Sequence, residues 1–137
     1  MTSNQNTKFQ IYDIKCKDLL DEDEIRFAGI INEAGNLICG GFKKGLLPLE
    51  SDQAKLESFM KFFAKISLIK EYDDNLGPIN YLVVRRDKAV LISFPFPLSR
   101  FLLLISAEPS VNIENLASKI IKIFGDSSLS SDYNFAI

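Results

Sequence analysis

Apolar and polar positions alternate with two different periods along this chain. Phe9, Tyr12, Cys16, Leu19 and Leu20 recur at helical spacing and predict a first helix from Lys8 to about Leu20, with Ile11 and Ile14 partly off the stripe. The acidic run Asp21 to Glu24 ends that pattern. Two apolar runs, Ile25 to Ile31 and Leu37 to Gly41, then flank "NEAGN". They predict a hairpin in which Gly35 takes the positive φ that a short turn demands. After "GLLPLESDQ", where Pro48 breaks regular structure and Ser51 or Asp52 offers a cap, the longest helical pattern runs from Gln53 to about Lys70. Turn-rich "EYDDNLGP" follows, then two strands, Ile79 to Arg86 and Ala89 to Phe94, joined tightly at "RRDK". "SRFLLLISA" supplies a fifth strand, whose unbroken apolar run suits a central place in a sheet. Ile113, Leu116, Ala117, Ile120, Ile121 and Phe124 mark a last helix, capped by Asn112 and stopped by Gly125.

The helix from Gln53 is apolar over too wide an arc for one neighbour. Leu56, Phe59, Met60, Phe62, Phe63, Ala64, Ile66 and Ile69 cover roughly 200° of its circumference, more than a single sheet hides. Burying one such side chain is worth roughly 1.5–3 kcal/mol, so the excess predicts a second covering surface. Phe59, Phe62, Phe63, Ile66 and Ile69 are the expected interface residues.

Length and composition narrow the classes of function. The 137 residues are 47% apolar and 25% charged, an ordinary folded mixture with enough chain for one real core. Residues 8–125 are expected to form a single domain, followed by a loosely ordered Ser- and Asp-rich tail at 126–137. Sixteen basic against eighteen acidic side chains leave a net charge of −2, which argues against nucleic-acid binding through a broad basic face. There is no histidine, which removes His-based acid–base catalysis, Ser-His and Cys-His nucleophile pairs and nearly all zinc sites. Cys16 and Cys39 lack metal-ligand spacing and read as small apolar residues in a reduced interior, although nothing in the sequence fixes their separation. No cofactor or metal site is expected. The apolar segment Ala89 to Ala107 approaches the length of a membrane span, but Pro95, Pro97 and Arg100 sit within it, so two strands explain it better. With a polar N-terminus, the chain reads as soluble and cytoplasmic, without membrane insertion.

Candidate chemistry is sparse. Gly40-Gly41 followed by Lys43 and Lys44 lacks the Lys-Ser/Thr ending and the adjoining helix start of a phosphate loop, so it reads as a strand end or bulge. Arg85, Arg86 and Lys88 cluster at a hairpin tip: a solvated turn, or a contact for an acidic protein if the fold adds Lys43 and Lys44. Arg100, inside an apolar run, either pairs with a carboxylate or lines a pocket. The acidic residues concentrate in turns, and no catalytic set emerges, so the chain reads as non-enzymatic.

"FAGIINEAGNLICGG" (Phe27 to Gly41), the helix from Gln53, and "INYLVVRRDKAVLISFPFPLSRFLLLISA" leading to "IENLASKIIKIF" together resemble the roadblock and dynein-light-chain family of the profilin-like group. The likeness covers Lys8 to Phe124. It implies an α/β (α+β) sandwich, a five-stranded mainly antiparallel sheet flanked by three helices in the order α-β-β-α-β-β-β-α. It also implies homodimers in which the long helices pack together and edge strands pair, forming a platform for small GTPases or scaffold proteins. The stretch "IRFAGIINEAGNLICGGFKKGLLPL" is similar, too, to a family of small uncharacterised proteins common in ammonia-oxidising archaea, which implies no activity. Two functional expectations follow. One is a dimeric interaction or regulatory module. The other is a small-ligand sensor whose pocket, between sheet and helix, has apolar walls and an anion contact at Arg100.

Overall fold

Ile25–Asn32 (β1) and Leu37–Phe42 (β2) form the expected hairpin, and Leu82–Arg85 (β3), Val90–Pro95 (β4) and Phe101–Ala107 (β5) complete one sheet. The computed structural model describes residues 2–96 and 99–125, the first five by backbone alone; the expected tail at 126–137 lies outside the described residues. All pairings are antiparallel and the order is β2-β1-β5-β4-β3, so β5 is central as its apolar run requires. Among the described residues four helices accompany the sheet: Thr2–Leu20 (α1), Gln53–Ser67 (α2), Asp73–Leu76 (α3) and Ile113–Phe124 (α4). The α+β sandwich and its main element order stand, with α3 as one extra helical turn inside "EYDDNLGP". α1 begins at Thr2 rather than Lys8, because its polar first residues carry no apolar stripe to count.

Local chemistry sets the boundaries. Asp52 caps α2, its Oδ1 accepting from the backbone N–H of Ala54 (2.9 Å) and Lys55 (3.1 Å). Asn112 caps α4 in the same way, accepting from Asn115 N–H at 2.9 Å. β3 is shorter than the predicted Ile79–Arg86. After Gly77 and Pro78 the chain turns toward α4, where the Tyr81 hydroxyl donates to Glu114 Oε2 at 2.5 Å, and pairing with β4 starts only at Leu82. In the β1–β2 turn Asn32 Oδ1 accepts from Ala34 and Asn36 N–H, both at 3.0 Å. Gly35 there has φ +84°, and a Cβ on it would lie 2.6 Å from Lys61 Cα, so the turn can seat beneath α2 only as glycine.

The pleat sends alternate residues to two unlike layers. Ala28, Ile30, Ile92, Phe94, Leu103 and Ile105 face α1 and α4, where Tyr12, Cys16, Leu19, Leu116, Ala117, Ile120 and Phe124 close over them. Tyr12 stacks on Phe96 with centroids 5.2 Å apart, and Phe124 tilts against both rings. The Lys15 ammonium donates to the Ile123 carbonyl, joining the two helices at the rim, and Lys119 of α4 pairs at 2.5 Å with Glu22, just beyond the end of α1. The opposite layer is thinner: Phe27, Ile31, Leu102 and Leu104 meet Phe63 and Ala64 of α2. A β-bulge between Ile25 and Phe27 turns both Arg26 and Phe27 toward this layer.

Candidate functional site

The α2 layer leaves Phe62 and, just beyond it, Ile69, Tyr72 and Leu76 exposed beside a groove. α2 is fastened by its C-terminal half. Phe63, Ala64 and Ser67 are buried, and the Ser67 hydroxyl shares a 2.5 Å hydrogen bond with the buried Ser93 hydroxyl of β4. That pair satisfies two polar groups inside an apolar layer, where either alone would be costly. The N-terminal half stands off the sheet and leaves a groove of about 1220 Å³. Its floor is Phe27, Leu91 and Leu104, its side Phe42, and its rim carries Arg26, Arg86 and Lys88. Arg26 is held there by Glu108 Oε2, 3.1 Å away.

The expected interface residues sort onto two sides of α2. Phe62 (57% exposed) and half-buried Ile66 face outward on α2; the helix stops at Ser67 rather than near Lys70, so Ile69 (39% exposed) lies just beyond its C-cap, Leu68. Phe63 departs from the expectation: it is 1% exposed and packs into the sheet, with the half-buried Phe59 ring 5.0 Å away. Phe62 and Phe63 are neighbours within one apolar arc, so periodicity alone does not separate them; only the position of the sheet does. The outward stripe runs on into Tyr72 (60% exposed) and Leu76 (80%), which with Ile69 line a second depression of about 490 Å³ beside α3. Turn-forming residues dominate that segment, yet Tyr72 and Leu76 stand four residues apart, the signal of a helical turn with one apolar side.

The arginines do not form one site. Arg85 and Arg86 both line the groove, and Arg85 also donates to the Pro109 carbonyl at 2.9 Å. Lys43 lies at the same end of the sheet but beyond the opposite edge strand, about 19 Å across four strand spacings, and its ammonium donates to the Glu22 carbonyl. Arg100 sits at the other end of the sheet, paired with Glu33 of the β1–β2 turn at 2.9 Å, with both side chains largely exposed. It takes the carboxylate pairing, lines neither depression, and such an exposed pair contributes little stability. The Gly40-Gly41 step is a close-packed strand crossing. Gly40 has φ +84°, and a Cβ on it would lie 2.3 Å from the Ala28 carbonyl oxygen. Among the described residues no group of three or more His, Cys, Asp or Glu could hold a metal ion, and no helix is long and apolar enough to cross a membrane.

A family of unknown function, DUF6659, matches residues 4–131. The chain belongs to that family. No curated protein is similar to this DUF6659 member in sequence. Its fold has solved counterparts. A roadblock/LC7 domain from Streptomyces avermitilis superposes with a TM-score of 0.62 at 14% identity, over 90% of this chain and 96% of that one. The gliding protein MglB from Thermus thermophilus gives 0.59 at 10% identity, over 81% and 82%. An MglB in a tetrameric arrangement gives 0.60 at 11% identity, over 92% and 90%. This DUF6659 chain therefore has the roadblock fold, and at such identities the likeness establishes the fold alone.

Proposed function

We propose that this protein is a non-enzymatic interaction module that self-associates through the outer face of α2 and the edge strand β3. The observation that carries the reading is the apolar pair Phe62 and Ile66, with Phe62 more than half exposed on a helix whose other side is already used by the sheet, and exposed Ile69 just beyond the helix end. β3 lies at the sheet edge beside it, and a second copy pairing there extends the sheet while the two α2 helices cover each other. Support comes also from the roadblock fold and from a neighbour with a tetrameric arrangement. In this reading the composite α2 surface is a platform for a protein partner such as a small GTPase, and the protein acts in the cytoplasm as a regulatory subunit. In a two-fold interface each substitution acts twice. Phe62→Glu is thus expected to weaken self-association by at least about 100-fold, at roughly 1.5–3 kcal/mol per buried apolar side chain. Sedimentation equilibrium of the wild type and this variant tests it; a wild type that is monomeric at micromolar concentration sinks the reading.

The groove under the N-terminal half of α2 favours a second reading, a small-ligand sensor. Its volume of about 1220 Å³ is ample for a small molecule, and Arg26 and Arg86 supply the anion contact first looked for at Arg100. A thermal-shift screen of small anionic apolar compounds separates the two readings. Stabilisation that disappears with Leu104→Arg, in a protein that remains monomeric, favours the sensor.

A further inference from the structure

The opposite face holds a feature that neither reading uses. Cys16, fully buried where α1 packs on the sheet, and Cys39, half-buried on the edge strand β2, are in mutual hydrogen-bonding contact, and both thiols are free. The backbone around them is drawn close. Gly40 N–H donates to Asp13 Oδ1 at 2.8 Å, one helical turn before Cys16. A Cβ on Gly40 would lie 3.1 Å from Cys16 Cβ, so α1 meets β2 at van der Waals contact right beside Cys39. Cys16 and Cys39 thus pack side by side in one buried cluster, the adjacency a disulfide requires.

We propose that Cys16 and Cys39 form an oxidation site, at which a hydroperoxide converts the thiol pair into an intramolecular disulfide linking α1 to the edge strand β2. The two thiols have unequal roles. The Cys16 S–H donates to the Cys39 sulfur, which pushes Cys39 toward its thiolate against the opposing effects of burial and the Asp13 charge. The same bond, reinforced by burial and by Asp13, keeps the proton on Cys16. Lys17 is engaged with Asp13 at 2.9 Å and partly offsets its charge. Cys39 is also the more accessible of the pair, so it meets the oxidant first. Its thiolate attacks the peroxide, an S–O bond forms as the O–O bond breaks, and the departing hydroxide takes a proton to leave as water. Cys16 sulfur then attacks the Cys39 sulfenic acid; the S–S bond forms, the S–O bond breaks, and the Cys16 proton leaves with the hydroxyl as a second water. Two thiols are oxidised and one hydrogen peroxide is reduced to two waters. The bridge would close the chain around β1 and tie α1 to the sheet on the face remote from α2.

The test is treatment of the native full-length protein with hydrogen peroxide, followed by alkylation of free thiols and intact-mass measurement. The expected wild-type product has lost both alkylatable thiols together, is lighter by two hydrogens, remains uncrosslinked between chains, and reverts with dithiothreitol. In Cys16→Ser, Cys39 is expected to accumulate a sulfenic acid that dimedone labels; in Cys39→Ser, Cys16 is expected to stay reduced over the same time. The proposal is overturned if the folded wild type keeps both thiols while the guanidinium-unfolded chain oxidises, if it gains oxygen without losing the second thiol, or if the disulfide forms between chains.

Discussion

The two faces of one sheet are finished differently, although the same strands supply both. On the α1/α4 face two helices and their aromatic rings close over the strands, and eighteen described residues form a continuous buried cluster. On the α2 face only six do, and a single helix touches down along half its length. The difference teaches where stability and interaction reside. Among the described residues the α1/α4 face leaves only the scattered Ile14 and Ile121 as exposed large apolar side chains on its helices, whereas the open face leaves Phe62, Ile69, Tyr72 and Leu76 at the surface and a groove beneath the helix. Apolar surface of that kind is a cost in water unless something covers it.

The contrast can be broken from the closed side first. Phe124→Ala removes a ring 1% exposed that touches Tyr12 and Phe96. It is expected to cost about 3–5 kcal/mol, read as a lower denaturant midpoint with an unchanged m-value. Gly40→Ala forces a side chain onto a left-handed residue and against the Ala28 carbonyl. A loss of about 1–3 kcal/mol is expected, with the damage localised by hydrogen exchange to α1 and β2. On the open side, Ser67→Ala strands the Ser93 hydroxyl and is expected to cost about 1–3 kcal/mol. The double variant Ser67→Ala/Ser93→Ala is expected to recover part of that loss, and strict additivity in the thermodynamic cycle would show that the bond is not made. Phe62→Glu, by contrast, is expected to change monomer stability by no more than about 0.5 kcal/mol, because the side chain already stands in water. A large loss in urea titration at a concentration where the protein is monomeric would place Phe62 in the core after all.

The smallest effect is electrostatic. The Lys17 ammonium, and after it the Gly40 N–H, hold the Asp13 carboxyl below its ordinary range. A lowered folded value means that the contribution is complete above about pH 4, the ordinary aspartate value, and is lost as pH falls through the folded value. Gly40 amide exchange, followed against acidification and corrected for intrinsic rate, is expected to lose protection in that window. Asp13→Asn is expected to flatten the dependence.

What the sequence disclosed follows from how local each signal is. The hairpin, the caps at Asp52 and Asn112 and the central position of β5 are set by residues within a few positions of one another, and all were legible. The division of α2 into a sheet side and an outer side was not, because Phe62 and Phe63 satisfy the same period and differ only in what stands opposite. Ser67 and Ser93 are ordinary polar residues in sequence, and their pairing exists only once α2 crosses β4. Ile79 to Tyr81 looked like strand since Ile79 and Tyr81 are β-favouring, yet the Tyr81–Glu114 bond draws that segment to α4 instead. Arg100 held two readings open until Glu33, distant in sequence, answered for it.

The serine pair has a mechanical meaning. A helix of fifteen residues fastened near one end is a lever arm, with its fulcrum at Ser67 and its free tip at Gln53. At 1.5 Å per residue the tip is about 21 Å from the fulcrum, so a tilt of roughly 10° carries it about 4 Å while Phe63 scarcely moves. A ligand that lifted the Gln53 end would thus act on the long arm, with the Ser67–Ser93 bond as its pivot.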